Sequence, residues 1–203
     1  MRLPIALDYR PALLSGAGIG RVCRELARAL GARDDLDVHL FAHSWAKSRA
    51  DAAAPAGTRL HRARIPGRAL GLLRALGLGA DRLAGGVRVF HTTDYVPLPL
   101  SRARSVLTVH DLAFVRDPRW HGANATVLRE RTAAAIAAAA AVVVPSAATA
   151  TDVRAFAPEA AAPQVVPFGA DHVAPPAGPP GRTDHVLMLG TIEPRTNHLG
   201  LLA

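Results

Sequence analysis

The chain has 203 residues, 50% of them hydrophobic, and a formal net charge of +8. That is enough for one sizeable packed domain and too apolar for global disorder. A single cysteine, Cys23, excludes an intrachain disulfide and a Cys-based metal site, and the basic surplus is almost all arginine in an alanine-rich chain (42 Ala), so it reads as compositional bias and not as a nucleic-acid signature.

Taken in order, residues 3–7 are a short apolar run ending at Asp8, followed by a loop, "YRPALLSGAG". Ile19, Val22, Leu26 and Leu30 recur at helical spacing, and Gly31 stops the helix. Residues 36–41 read as a second strand, 87–90 as a third and 105–109 as a fourth. Residues 133–141 are helical and run into a β-branched strand at 142–144, closed by Pro145; residues 164–166 form another short strand. This alternation predicts an α/β fold with a parallel sheet and helices on both faces. No internal repeat is present.

The longest apolar run, 133–144, is far shorter than the ~20 residues of a spanning helix. Only five apolar residues separate Arg2 from Asp8, too few for a signal peptide. These features predict a cytoplasmic protein. The stretch "HVAPPAGPPGRTDH" reads as a stiff linker. After it, residues 186–190 read as a new strand and the following residues as the start of a helix.

Ligands of open parallel sheets bind beyond the carboxyl ends of the strands. Gly16, Gly18 and Gly20 follow the first strand, His91 follows the third, His110 and Asp111 the fourth, and Ser146 the strand at 142–144. The glycine loop fails the dinucleotide fingerprint, because Arg21 stands where its last glycine belongs and Ala42–His43 where a ribose-binding acid belongs. No Gly-Lys-Ser/Thr occurs, which excludes a P-loop. The loop is then either a tight turn needing small residues or a helix N-terminus suited to phosphate. His110 and Asp111 are an acid/base candidate only if the strand has ended, because adjacent strand residues point to opposite faces; otherwise His110 is a half-buried histidine bonded to backbone. His91 has the same alternatives. Ser146 lacks a nucleophile elbow and reads as a helix cap. Arg59, Arg62, Arg64, Arg68, Arg74, Arg82 and Arg88 face a single acid, Asp81, with leucines interleaved. This is either a solvated helix face or a peripheral contact with anionic lipid.

Five segments occur in a telling order: "GIGRVCRELARAL" at 18–30, "TVHDLAFVRDPRWH" at 108–121, "VVVPSAATATDV" at 142–153, "VVPFGAD" at 165–171 and "MLGTIEPRTN" at 188–197. Together they resemble the family 4 glycosyltransferases of the GT-B fold, over nearly the whole chain. The resemblance implies a Rossmann-like N-terminal acceptor-side domain at 1–172, an interdomain linker at 173–184, and the start of a C-terminal donor-binding domain at 185–203. The paired glutamates of a Glu-x7-Glu element, which belong to the donor half, are not in the sequence. The implied reaction is retaining transfer of a sugar, mannose or a relative, from a nucleotide sugar to a glycan or lipid-linked acceptor in polysaccharide or glycolipid synthesis. The resemblance implies that no metal or other cofactor is required; a place at the inner face of the membrane rests only on the arginines at 59–88.

By position, His110 matches the histidine that hydrogen-bonds the transferred sugar, Gly18 and Gly20 lie near the donor pyrophosphate and acceptor, Asp111 belongs with the binding residues, and Arg195 supplies charge near the donor phosphates. Three positions depart from the pattern: Thr196 replaces the usual lysine, Thr191 a frequent arginine and Phe168 a frequent asparagine. One wall of a two-walled cleft is expected to be inert by itself. The alternative is a non-catalytic half-domain that binds an acceptor or a partner.

Overall fold

The structure is a computed structural model that describes residues 1–203 except 17, 44–53, 68, 95, 172, 175–177, 179–183, 185, 191, 193–195 and 203. Its centre is a seven-stranded sheet with strands β1 (Leu3–Asp8), β2 (Leu36–His43), β3 (Thr58–Ala63), β4 (Val89–Thr92), β5 (Arg104–Thr108), β6 (Ala141–Val144) and β7 (Gln164–Val165). All six pairings are parallel, in the order β3-β2-β1-β4-β5-β6-β7. The chain builds outward from β1 to β3, then crosses back to β4 on the other side of β1. The topological switch point therefore lies between β1 and β4, where open α/β sheets place their ligands.

Helices cover both faces, as the alternating pattern predicts. α1 (Arg10–Leu14) and α2 (Gly18–Gly31) lie on one face; α3 (Ala69–Ala75) and α4 (Ala80–Leu83) lie on the other. Side-chain alternation sorts the strand residues between them. Leu7, Val38, Leu40 and Ala42 join Cys23 and Ala27 of α2. Their sequence neighbours Ala6 and Phe41 join Leu70, Ala80 and Phe90 on the opposite face. Beyond the short helix α5 (Ala113–Arg116), α6 (Ala125–Ala138) and α7 (Ala147–Phe156) pack on β5 and β6 around Leu107, Ile136, Val142 and Val144. Each such side chain, fully buried, stabilises the fold by about 1.5–3 kcal/mol.

Several expectations shift. β3 is an additional strand, hidden in the sequence by its arginines. It is an edge strand, and Arg59 and Arg62 point to solvent from it, as charged residues do on exposed sheet edges. α1 forms within the expected loop, with Pro11 in its first turn. α6 begins eight residues before the predicted helix and ends three earlier, because a run of alanines carries no periodicity to mark either boundary. The strand expected at 186–190 is not formed among the described residues. Val186, Leu187 and Leu189 are 80–85% exposed and pair with no described strand. A strand exists only through its neighbours' hydrogen bonds, and β7 is the last strand paired on that side of the sheet. The helix expected after it is present as α8 (His198–Leu202).

Candidate active site at the carboxyl edge of the sheet

β1 ends in Asp8, whose side chain is fully buried. Arg10 grips it: Nε donates to Oδ1 at 2.8 Å and Nη2 pairs with Oδ2. Nη2 also donates to the Val96 carbonyl at 3.0 Å, which ties the turn after β1 to the segment after β4. Burial opposes the charge on Arg10, but the Asp8 carboxylate more than restores it, and the guanidinium titrates above its ordinary value. The backbone carbonyl of Asp8 accepts from Thr93 Oγ1 at 2.8 Å and from Cys23 Sγ at 3.2 Å. Burial pushes the Cys23 thiol up to about 12, so it is a packing group and not a nucleophile. Neither Asp8 nor Arg10 stands out in the sequence beyond lying at a strand end, since nothing local shows which strand ends meet at the switch point.

The glycine loop sits beside this pair, pinned by Arg24, whose Nη1 donates to the carbonyls of Ala12 at 2.8 Å and Ser15 at 3.1 Å. The glycines divide into two kinds. A Cβ on Gly20 would lie 2.1 Å from the Ser15 carbonyl oxygen and 2.7 Å from that of Pro11, so Gly20 is required for α2 to approach the preceding loop. A Cβ on Gly16 or Gly18 would meet nothing within 4 Å. The tight-packing reading therefore accounts for Gly20, while Gly18, the first residue of α2, faces open space at the positive end of a 14-residue helix. β2 ends in His43, buried and held below its ordinary pKa by burial and by Arg10, in place of a ribose-binding carboxylate.

β5 ends at Thr108, so His110 and Asp111 lie beyond the strand, which removes the alternation objection. His110 Nε2 donates to the Thr93 carbonyl at 2.9 Å. A carbonyl only accepts, so Nε2 carries a proton. The Phe168 ring lies 5.4 Å from the His110 ring, centroid to centroid, tilted by 50°. Asp111 Oδ1 accepts from the Ala113 amide at 2.9 Å and so opens α5. Asp111 also lines a hollow of about 410 Å³ with Arg116, Trp120, Asp152 and Thr196. Arg116 and Asp152 are paired there at 2.8 Å.

His91 is placed beneath. It lies within β4, its Nε2 is 2.8 Å from Thr108 Oγ1, and burial, reinforced by the nearby charge of His110, pushes its pKa down to about 4. The satisfied, neutral alternative therefore holds for His91. Ser146 is a cap: its Oγ accepts from the Thr149 amide at 3.1 Å. Thr196 Oγ1 is 2.9 Å from His198 Nδ1, and Arg195 lies outside the described residues. Among the described residues no group of three or more His, Cys, Asp or Glu is placed to hold a metal ion, and no helix is long and apolar enough to cross a membrane.

The structure thus gathers Gly18, Thr93 and His110 along the carboxyl edge on both sides of the switch point. The fold matches the solved sucrose-phosphate synthase from Thermosynechococcus elongatus with a TM-score of 0.62 at 19% identity, over 82% of this chain and 48% of that one. The chain spans about half the length of that protein, a GT-B glycosyltransferase. No curated protein sequence matches it. The family model described as Glycosyltransferase Family 4 matches residues 16–173, a span that holds the glycine loop, His110 and the helices around them. That match covers well over half of the sequence, and the chain belongs to glycosyltransferase family 4.

Proposed function

We propose that this chain is the acceptor-side wall of a retaining glycosyl-transfer cleft. A sugar of the mannose type passes from a nucleotide sugar to an acceptor hydroxyl on a glycan or a lipid-linked saccharide. The carrying observation is the placement of His110, its Nε2–H fixed on the Thr93 carbonyl at the edge that also presents Gly18 and the α2 N-terminus. In this role the imidazole stabilises charge developing on the transferred sugar instead of abstracting a proton. The α2 dipole, and Arg195 from the tail, offset the pyrophosphate charge without a metal. The donor half would follow a linker at 173–184, with residues 185–203 as its first segment. An intracellular setting, where nucleotide sugars are made, suits the reaction.

The test is transfer from labelled nucleotide sugars, measured with this chain alone and with a donor-binding half joined after Ala203. Turnover is expected only in the joined protein, with the anomeric configuration retained in the product. His110→Ala is expected to lower kcat about 100-fold or more, the loss typical of one transition-state hydrogen bond. Turnover by the chain alone above its His110→Ala control, or a joined protein indifferent to His110, overturns the reading. A second reading is a non-catalytic half that binds acceptor or a separate donor subunit. It predicts acceptor binding with no turnover in either form.

A further inference from the structure

A second feature flanks the transfer edge. The hollow of about 410 Å³ that starts at Asp111 falls within the roughly 300–1,000 Å³ of ligand clefts. Its wall combines Trp120, 40% exposed, with Arg116 and Asp152. Arg116 closes α5 and Asp152 lies in α7, and a fork joins them: Nε donates to Oδ2 at 3.1 Å and Nη2 to Oδ1 at 2.8 Å. Such a two-bond fork fixes the plane of both groups. Trp120 is also held. It ends the 3-10 turn Pro118–Trp120, in which Asp117 Oδ1 accepts the Arg119 amide at 3.0 Å. The Arg119 guanidinium pairs with the same carboxylate, Nη2 to Oδ2 at 2.7 Å, and so adds no uncompensated cation beside Trp120. Among the described lining residues the ionisable groups are two carboxylates, Asp111 and Asp152, against one guanidinium, Arg116.

We propose that this hollow is a subsite for one neutral sugar unit of an oligosaccharide, a unit other than the one that bears the reacting hydroxyl. A pyranose ring has a face of C–H groups and a rim of hydroxyls. The C–H face packs on the electron-rich face of an indole. Each hydroxyl both donates and accepts, whereas a carboxylate only accepts and a guanidinium only donates. The Arg116–Asp152 fork sets an acceptor and a donor side by side, which suits two neighbouring hydroxyls of one ring. The surplus of carboxylate in the lining works against phosphates, sulfates and uronic acids, because like charges brought together repel. That commits the hollow to a neutral glycan. The lining starts at Asp111, the residue after His110, so the occupant extends outward from the transfer edge. The acceptor is then an oligosaccharide and not a single sugar. This use of the glycan rests on the transfer reading above; the binding itself does not.

The experiment is calorimetric titration of the chain with mannose and with mannotriose. Mannotriose should bind about 10-fold more tightly or better, the factor that one further charge-assisted hydrogen bond supplies. The chain has two tryptophans, and the indole NMR resonance that Trp120→Phe removes should shift with mannotriose. Trp120→Ala should weaken mannotriose about 30-fold, as the loss of a dominant aromatic contact does. Trp120→Phe keeps a ring and should retain most of the affinity. Asp152→Ala should weaken binding about 10-fold. Circular dichroism checks that each variant is folded. Equal affinity for mannose and mannotriose, or mannotriose binding indifferent to Trp120→Ala in folded protein, overturns the proposal. Displacement of mannotriose by UDP or GDP would assign the hollow to the donor nucleotide and also overturn it. In the joined protein the two readings fail separately. Turnover indifferent to acceptor length and to Trp120 removes the subsite and leaves the transfer reading standing; mannotriose bound at Trp120 without turnover does the reverse.

Discussion

The two edges of the sheet treat charge in opposite ways. At the carboxyl edge Asp8 is wholly buried against Arg10, and Thr93, Cys23 and His110 are fixed on backbone carbonyls. At the amino edge Asp81 is buried on backbone amides, while Arg74, Arg82 and Arg102 stay in water around an open hollow. The first arrangement fixes atoms in place, because buried charges lose stability whenever a partner is lost. The second leaves a field without fixed geometry. Transfer chemistry needs the former, since reacting groups must be held at hydrogen-bond distance.

The contrast can be broken at several points. Asp8→Ala should have the largest effect, because it leaves Arg10 buried without its carboxylate. A loss of about 3–5 kcal/mol is expected in urea unfolding, and a loss below 1 kcal/mol would mean that the pair is solvated. Next comes pH. The folded-state pKa of His91, about 4, lies below the ordinary 6.5, so between these values the unfolded chain binds more protons. Stability should hold above pH 6.5 and fall by up to about 3 kcal/mol as pH drops to 4. His91→Asn should flatten that part of the profile.

Gly20→Ala should cost about 1–3 kcal/mol through the clash with the Ser15 carbonyl. Gly18→Ala should change stability by less than about 1 kcal/mol, since its Cβ meets open space. If the joined enzyme nevertheless loses activity in Gly18→Ala, the two glycines are separated into packing and ligand roles. Thr93→Val should cost about 1 kcal/mol in urea unfolding for its lost bond to the Asp8 carbonyl. The smallest effect belongs to the amino edge. R82E/R102E should leave stability within about 0.5 kcal/mol in urea unfolding. A large destabilisation there would show that the arginines serve the fold.

Much of this was legible along the chain. Helical spacing from Ile19 to Leu30 and the apolar runs at 36–41, 105–109 and 142–144 marked their elements, because each carries a full period of apolar residues. β3 escaped because an edge strand needs little apolar content. Alanine-rich α6 kept its identity but lost its boundaries. His110 was visible as a polar residue after a strand, but its position alone left two readings open. The structure gives His110 the backbone bond of the second reading, to the Thr93 carbonyl, but places it beyond the end of its strand and beside the Phe168 ring, whereas His91 lies within β4, buried and neutral.

What the sequence determined by itself is the class of fold and the family: period and punctuation are local properties, and the five family segments are read in order along one dimension. Tertiary structure alone decided which strand ends share the switch point, so only it could pair Asp8 with Arg10 and tie both to the segment after β4. It alone separated Gly18 from Gly20, by what stands opposite each backbone. It alone brought Arg102 to Arg74 and Arg82, and buried the one acid that would have neutralised them. Burial and pairing depend on residues distant in the chain, and those two quantities set whether a charged group is structural, chemical or available to a partner.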